Sequence, residues 1–254
     1  MLLSSLTLAL TVFTSFPATL GQDTTSLAAV KKAFEAAHIP QNASLTFNPS
    51  TVLEVEFPQA SGPPTIEHEA HPQLILETAI PPVFGVQLPE QGHPHGSGRR
   101  SASSHHDYDY DHDHDHDHDA AKFVVAMLDL DAPNSQDPIY AQIIHTLGGN
   151  YTLQQAPDRR GSRSSLLSNS TPVLVNYVQP APSAGSGAHR YVFLLYNQPT
   201  GRAAQTLADY QFSYILDGSL PIVAFFNISQ FASETGLGNP IGGSYMLVGP
   251  DSTD

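Results

Sequence analysis

Between Pro89 and Ala121 the chain carries no apolar periodicity that a helix or a strand could bury. Gly, His, Ser, Arg and Asp dominate, and from Asp107 to Asp119 seven aspartates occupy every second position. No hydrophobic core accepts such a run. Whatever folds must therefore be assembled from the pieces on either side, with residues 89–121 expected as a disordered insertion within one domain, 22–254. Eight histidines fall between Gly92 and Asp119, four of them (His112, His114, His116 and His118) interleaved with aspartates. In an extended chain, alternate residues on one side are about 6.6 to 7 Å apart. That is too far for two imidazoles to reach one ion at about 2 Å each, so binding Zn²⁺, Cu²⁺ or Ni²⁺ would require the chain to bend around the metal. Three readings stay open: a low-selectivity metal site, a solvated low-complexity insertion with no selected role, and a pH-responsive solubility element.

The flanking pieces read as strands with few helices. Thr51–Phe57 alternates, with Leu53, Val55 and Phe57 on one face and Glu54 and Glu56 on the other, the pattern of a half-buried antiparallel strand. Lys122–Leu128 is almost continuously apolar, as a strand buried on both faces would be. Further strands are expected at 74–78, 83–87, 141–147, 173–178, 190–197, 221–227 and 244–248. A helix over 27–37 is capped by Ser26 and stopped by Pro40, and a second runs from Ser229 to Thr235 and closes at Gly236. Residues 154–170 read as a polar surface loop, and 202–216 fits no single pattern. Many short strands and few helices indicate a mainly β fold, an antiparallel Greek-key β-sandwich.

Composition narrows the partners. The net charge of −14 argues against nucleic acid and anionic membrane surfaces near neutral pH. Protonating all 13 histidines would add 13 charges to −14 and leave −1, so the exclusion weakens in acid. The chain has no cysteine, which removes disulfides, thiol catalysis and thiolate metal sites. Residues 1–21 read as a secretory signal peptide, apolar from Leu2 to Phe16 and followed by small residues; a membrane anchor is the alternative, although the run is short of the roughly 20 residues a spanning helix needs. Four glycosylation sequons, at Asn42, Asn150, Asn169 and Asn227, agree with a secreted, extracellular protein.

Chemistry concentrates after the insertion. Asp129 and Asp131 follow an apolar strand, His145 lies in the next one, and the turn Gly185-Ser186-Gly187-Ala188 delivers His189 to the mouth of Tyr191–Tyr196. Taken singly, the aspartates fit an ordinary turn and His145 fits a hydrogen-bonded core histidine. There is no G-x-S-x-G elbow and no H-E-x-x-H helix, since Glu67-His68-Glu69-Ala70-His71 has the wrong spacing. With no activated nucleophile in view, the reading is a binding protein and no enzyme.

DLDAP at 129–133, then Asp137-Pro138, Tyr140 and His145, GAHRYVFLLYNQ at 187–198 and LGNPIGGSY at 237–245 together resemble the phosphatidylethanolamine-binding protein family, in particular its secreted fungal members. The resemblance covers roughly residues 45 to 249, with the His/Asp segment as an insertion. It implies a pocket for a phospholipid head group or similar small anion, walled by Asp129, Asp131, Tyr140, His145, His189 and Tyr191, and requiring no cofactor. Imidazole N–H and phenol O–H groups suit phosphoryl oxygens, and a protonated imidazole adds charge. Some members inhibit serine carboxypeptidases, which makes a secreted or vacuolar-type carboxypeptidase the alternative partner. The chain departs from the family pattern at Leu130, at Gln179–Ser183 and at Ile143, where many members have a proline, a glycine-rich stretch and an aromatic residue.

Overall fold

The computed structural model describes residues 26–58, 65–66, 72–73, 78–87, 121–154, 164–208 and 224–250. In chain order they form α1 (Leu27–Ala36), α2 (Ile39–Asn42), β1 (Val52–Phe57), β2 (Thr65–Ile66), β3 (Pro72–Gln73), β4 (Val83–Gln87), β5 (Lys122–Asp129), β6 (Ile143–Gln154), β7 (Ser164–Asn169), β8 (His189–Asn197), α3 (Gly201–Ala208), α4 (Ile228–Thr235) and β9 (Gly242–Val248). The fold is mainly β and antiparallel. The Asp/His run and most of the expected strand at 74–78 lie outside the described residues.

All nine strands join one hydrogen-bonded sheet, in the order β2-β1-β4-β7-β6-β5-β8-β9-β3, with only β3 and β9 parallel. The expected two-sheet sandwich is here a single ladder that curls towards a barrel. Near its two ends β1 and β9 approach, where the Ser50 and Thr51 amides both donate to the Ile241 carbonyl, at 2.8 and 3.1 Å. Alternation tells which face of a strand is buried but not which strand lies beside it, so the ladder order was hidden from sequence.

The period-2 pattern divides the core in two. Leu53, Val55 and Phe57 of β1 meet Phe123, Val125 and Met127 of β5, Phe193 and Leu195 of β8 and Met246 of β9 inside the curl. The opposite face of β5 and β8 carries Val124, Ala126, Leu128, Val192, Leu194 and Tyr196, covered by Phe34 of α1 and Ile228 and Phe231 of α4. The near-continuous apolar stretches of β5 and β8 follow from burial on both faces. α1 begins where the Ser26 hydroxyl accepts from the Ala29 amide at 3.2 Å, and α4 where Asn227 Oδ1 accepts from the Gln230 amide at 2.9 Å. Gly236, at φ 73°, closes α4 in the left-handed conformation that glycine adopts cheaply.

Three expected elements differ. Residues 173–178 make one bridge, Leu147 to Val175, instead of a strand. Side chains of β6 add to three backbone bonds there: Thr146 Oγ1 donates to the Val175 carbonyl at 3.0 Å and His145 Nδ1 bonds the Val178 carbonyl at 2.8 Å. Within the expected strand 221–227, residues 224–227 are irregular and Phe225 sits at φ 59°. Their backbone is held by Tyr140 and Gln142: the Phe225 and Phe226 amides donate to those two carbonyls at 3.3 and 2.8 Å. Inside the expected loop 154–170, residues 164–169 form β7, pairing with both β4 and β6.

Candidate functional site

The proposed residues gather where β5 ends and where β6 and β8 begin, because Asp129 pairs with Ile143 on one side and with Tyr191 on the other. The turn that leads into β8 requires glycine. Gly185 and Gly187 lie at φ 81° and 78°, conformations costly to any residue with a Cβ.

Successive residues of β8 point to opposite faces, and this separates the two carboxylates. His189, with Tyr191 and Phe193, faces the inside of the curl; Arg190 faces the helical layer. Asp129 serves the first. Its Oδ2 lies 2.8 Å from His189 Nδ1, and its Oδ1 accepts from the Asp131 amide at 2.8 Å. Asp131 serves the second. Its Oδ2 accepts from Arg190 Nε at 2.8 Å and from the Arg190 amide at 2.7 Å, while its Oδ1 accepts from Nη2 at 2.6 Å. The remaining arm of the guanidinium, Nη1, donates to the Ala37 carbonyl at 2.5 Å, just past the end of α1. Asp131 is thus a structural strut with both oxygens committed, where the sequence had suggested a wall of the pocket.

Arg190 is the residue that motif reading undervalued. Alternation assigns it to the face opposite His189, and a buried Asp131 needs a cation there. The electrostatic result is close to neutral: Asp131 is offset by Arg190, and Asp129 by His189 when protonated. A small anion therefore meets no uncompensated carboxylate.

The two histidines are unlike. Burial is the largest influence on His189 and opposes its charge, but the hydrogen bond and charge of Asp129, then the charge of Asp131 and the Pro133 carbonyl, together hold it above its ordinary pKa. For His145, burial dominates and pushes the pKa down, in spite of the Val178 carbonyl and Asp129. A carbonyl only accepts, so the 2.8 Å contact assigns the His145 proton to Nδ1 and leaves Nε2 as an acceptor in the neutral ring. His189, bonded through Nδ1 to a carboxylate, carries an Nε2–H as well in its protonated form, which Asp129 favours. That Nε2 is fully buried and makes no well-formed hydrogen bond among the described residues.

Tyr191 lies between them. Its ring is edge-on to His145 at 5.0 Å and nearly parallel to His189 at 6.4 Å. Burial, reinforced by Asp129, drives its hydroxyl far above the ordinary phenol pKa, so it stays protonated. Tyr140 takes a different place. It is 43 % exposed and lies edge-on to Phe225 at 5.8 Å, with its amide donating to the Ala132 carbonyl at 3.0 Å. It stands at the rim, beside the turn that carries Asp131, and the exposed Ile139 adjoins it.

Among the described residues no group of three His, Asp or Glu side chains is placed to hold a metal ion, and His112, His114, His116 and His118 lie outside those residues. A small cavity of about 40 Å³, open to solvent, lies between α1, β1 and β9 and is lined by Val30, Phe34, Leu53 and Tyr245; it does not include the histidines.

Comparison with known proteins places this arrangement. In sequence, 85 residues are 35 % identical to a carboxypeptidase Y inhibitor of Saccharomyces cerevisiae, covering 31 % of this chain and 39 % of the relative. A phomoidride biosynthesis cluster protein N of Talaromyces stipitatus is 31 % identical over 127 residues, or 50 % of this chain and 59 % of the relative. The chain thus spans well under two thirds of the length of these curated relatives. In structure, a carboxypeptidase Y inhibitor complexed with its cognate proteinase superposes with a TM-score of 0.62 at 20 % identity, covering 91 % of this chain and 100 % of the inhibitor. A phosphatidylethanolamine-binding protein from Plasmodium vivax gives 0.52 at 13 % identity, over 87 % and 97 % of the two chains. At those identities the likeness is one of fold. The sequence profile described as phosphatidylethanolamine-binding protein matches residues 104–245, more than half of the chain. With the motif residues joined around His189 and that profile matched across them, the chain belongs to the phosphatidylethanolamine-binding protein family.

Proposed function

We propose that this protein binds a small phosphorylated or anionic head group between His189 and His145, and is no enzyme. The observation that carries the reading is the His189 imidazole: held by Asp129 through Nδ1, favoured in its charged form, and left with a buried Nε2 that makes no well-formed hydrogen bond among the described residues. Leaving such a donor unsatisfied costs about 1–3 kcal/mol, which a phosphoryl oxygen would offset. Charge assistance strengthens the bond. His145 and Tyr191 complete the polar wall, and Tyr140 lies at its edge. No cofactor is required. In keeping with its apolar leader and its sequons, the protein is taken as secreted, of the fungal type, with one domain over 22–254. The Asp/His run would be a separate appendage that takes up Zn²⁺, Cu²⁺ or Ni²⁺ adventitiously.

Calorimetric titration with phosphorylethanolamine tests the site. Binding to the wild type and at least a tenfold loss in His189→Ala are expected; equal affinity in the two would remove the assignment. The second reading, inhibition of a serine carboxypeptidase, is favoured by the yeast relative and by the fold of the inhibitor in its proteinase complex. Carboxypeptidase activity that stays undiminished under a large molar excess of protein would exclude it.

A further inference from the structure

The four sequons are equivalent in sequence and unlike in the fold. Asn42 ends α2 on the surface, and its side chain makes no hydrogen bond among the described residues. Asn227 is exposed too, and uses only Oδ1, which accepts from the Gln230 amide. The other two are locked together. Asn169, the last residue of β7, pairs across the ladder with Tyr151. Its Oδ1 accepts from the Thr171 amide at 2.7 Å and from Thr171 Oγ1 at 2.9 Å, and its Nδ2 is fully buried. Asn150 Nδ2 donates to the same Thr171 Oγ1 at 3.2 Å, while Gln198 bonds the Asn150 carbonyl oxygen at 2.8 Å and the Asn150 amide at 2.5 Å. Thr171 is the hydroxyl residue of the Asn169 sequon. One sequon has become the hydrogen-bond partner of the other.

From this we infer that the folded protein carries N-linked sugar at Asn42 and Asn227 and none at Asn150 or Asn169. In the transfer, the carboxamide Nδ2 forms a bond to the anomeric carbon of a polyprenyl-diphosphate-linked oligosaccharide. Nδ2 gives up one proton, and the polyprenyl diphosphate leaves. The product keeps its carbonyl oxygen and one N–H. Asn227 therefore retains its cap on α4, because the cap uses the oxygen. At Asn169 the new bond would grow from an atom with no access to solvent, on a residue in register with Tyr151. A chain modified there before folding could not close β7 onto β6. At Asn150, itself half-buried, one N–H would remain for Thr171, but the sugar would leave the same nitrogen between Thr171 and Gln198 and would press the same corner open. The folded population is then depleted of both forms.

The full chain, placed behind a secretion leader of a glycosylating eukaryotic host, allows the inference to be tested independently of its own leader. The folded monomeric fraction is deglycosylated enzymatically in ¹⁸O water, which marks each formerly modified asparagine, and is mapped by peptide mass spectrometry. Marking of Asn42 and Asn227 in most molecules, with Asn150 and Asn169 unmarked, is expected. Asn227→Asp preserves the capping oxygen and should lose one glycan's mass; Asn169→Gln should leave the glycan number at two. Sugar on Asn150 or Asn169 in the folded fraction overturns the inference, as does its absence from Asn42 or Asn227.

Discussion

Replacing either end of the Asp131–Arg190 strut should cost more stability than its place near a turn suggests. Asp131 is 1 % exposed and Arg190 17 %, and three hydrogen bonds run between them. In Arg190→Met, Asp131 keeps only the backbone amide at 2.7 Å, and the Ala37 carbonyl loses its side-chain donor. Breaking a buried pair typically costs 3–5 kcal/mol. Because the guanidinium keeps some contact with solvent, the lower end applies, about 3 kcal/mol. For a chain of this size that is a fall in Tm of about 6–12 °C. Asp131→Asn should cost a similar amount, since its new NH₂ group would face the guanidinium N–H groups. The informative species is the double variant. If the two residues act on each other, its loss falls short of the sum of the single losses by about 1–2 kcal/mol. Urea unfolding of the wild type, both single variants and the double variant, followed by far-UV circular dichroism, closes the cycle. Single losses below about 0.5 kcal/mol, or strict additivity, would refute the strut.

The histidines should titrate on opposite sides of the ordinary 6.5, His189 above it and His145 below, as NMR of the imidazole ¹⁵N signals would register. For His189, raised in the fold, the stabilisation by Asp129 is complete below 6.5 and is lost as pH rises through the raised value. Asp129→Asn should flatten that alkaline loss. For His145, lowered in the fold, stability is instead lost as pH falls below 6.5. Tyr196→Phe should be neutral or mildly stabilising in thermal unfolding, because the Tyr196 hydroxyl is buried in the core with no hydrogen-bond partner among the described residues; a loss above about 1 kcal/mol would contradict this.

Individual strands were legible where apolar residues alternate or run unbroken, as in β1, β5, β8 and β9. Their order was not, because pairing partners leave no local signature. The failure at 173–178 is instructive. Its composition suits a strand, but beyond three backbone bonds to β6 it is held by the Thr146 and His145 side chains, and this shows only once the two segments are side by side. Within the site, motif and strand position point to Asp129, His145, His189 and Tyr191, and the fold brings these four together. Asp131, placed in the same wall by the resemblance, bonds Arg190, because the turn and the alternation of β8 send the two carboxylates to opposite faces. Ala37 could not have been found at all, since its bond to Arg190 spans 153 residues.

The position of β8 between β5 and β9 also fixes an order of assembly. A chain synthesised only as far as Ala188 has already made β5, yet β5 then shows one unpaired edge flanked by apolar side chains on both faces. Asp129 and Asp131 wait beside it without partners, and α1 has nothing to receive from Arg190. One strand, arriving late, closes the sheet edge, satisfies both carboxylates and fastens the N-terminal helix in the same step. The site therefore cannot exist in a partly made molecule, and the interval before β8 emerges is when the nascent chain is most exposed to pairing with another copy of itself.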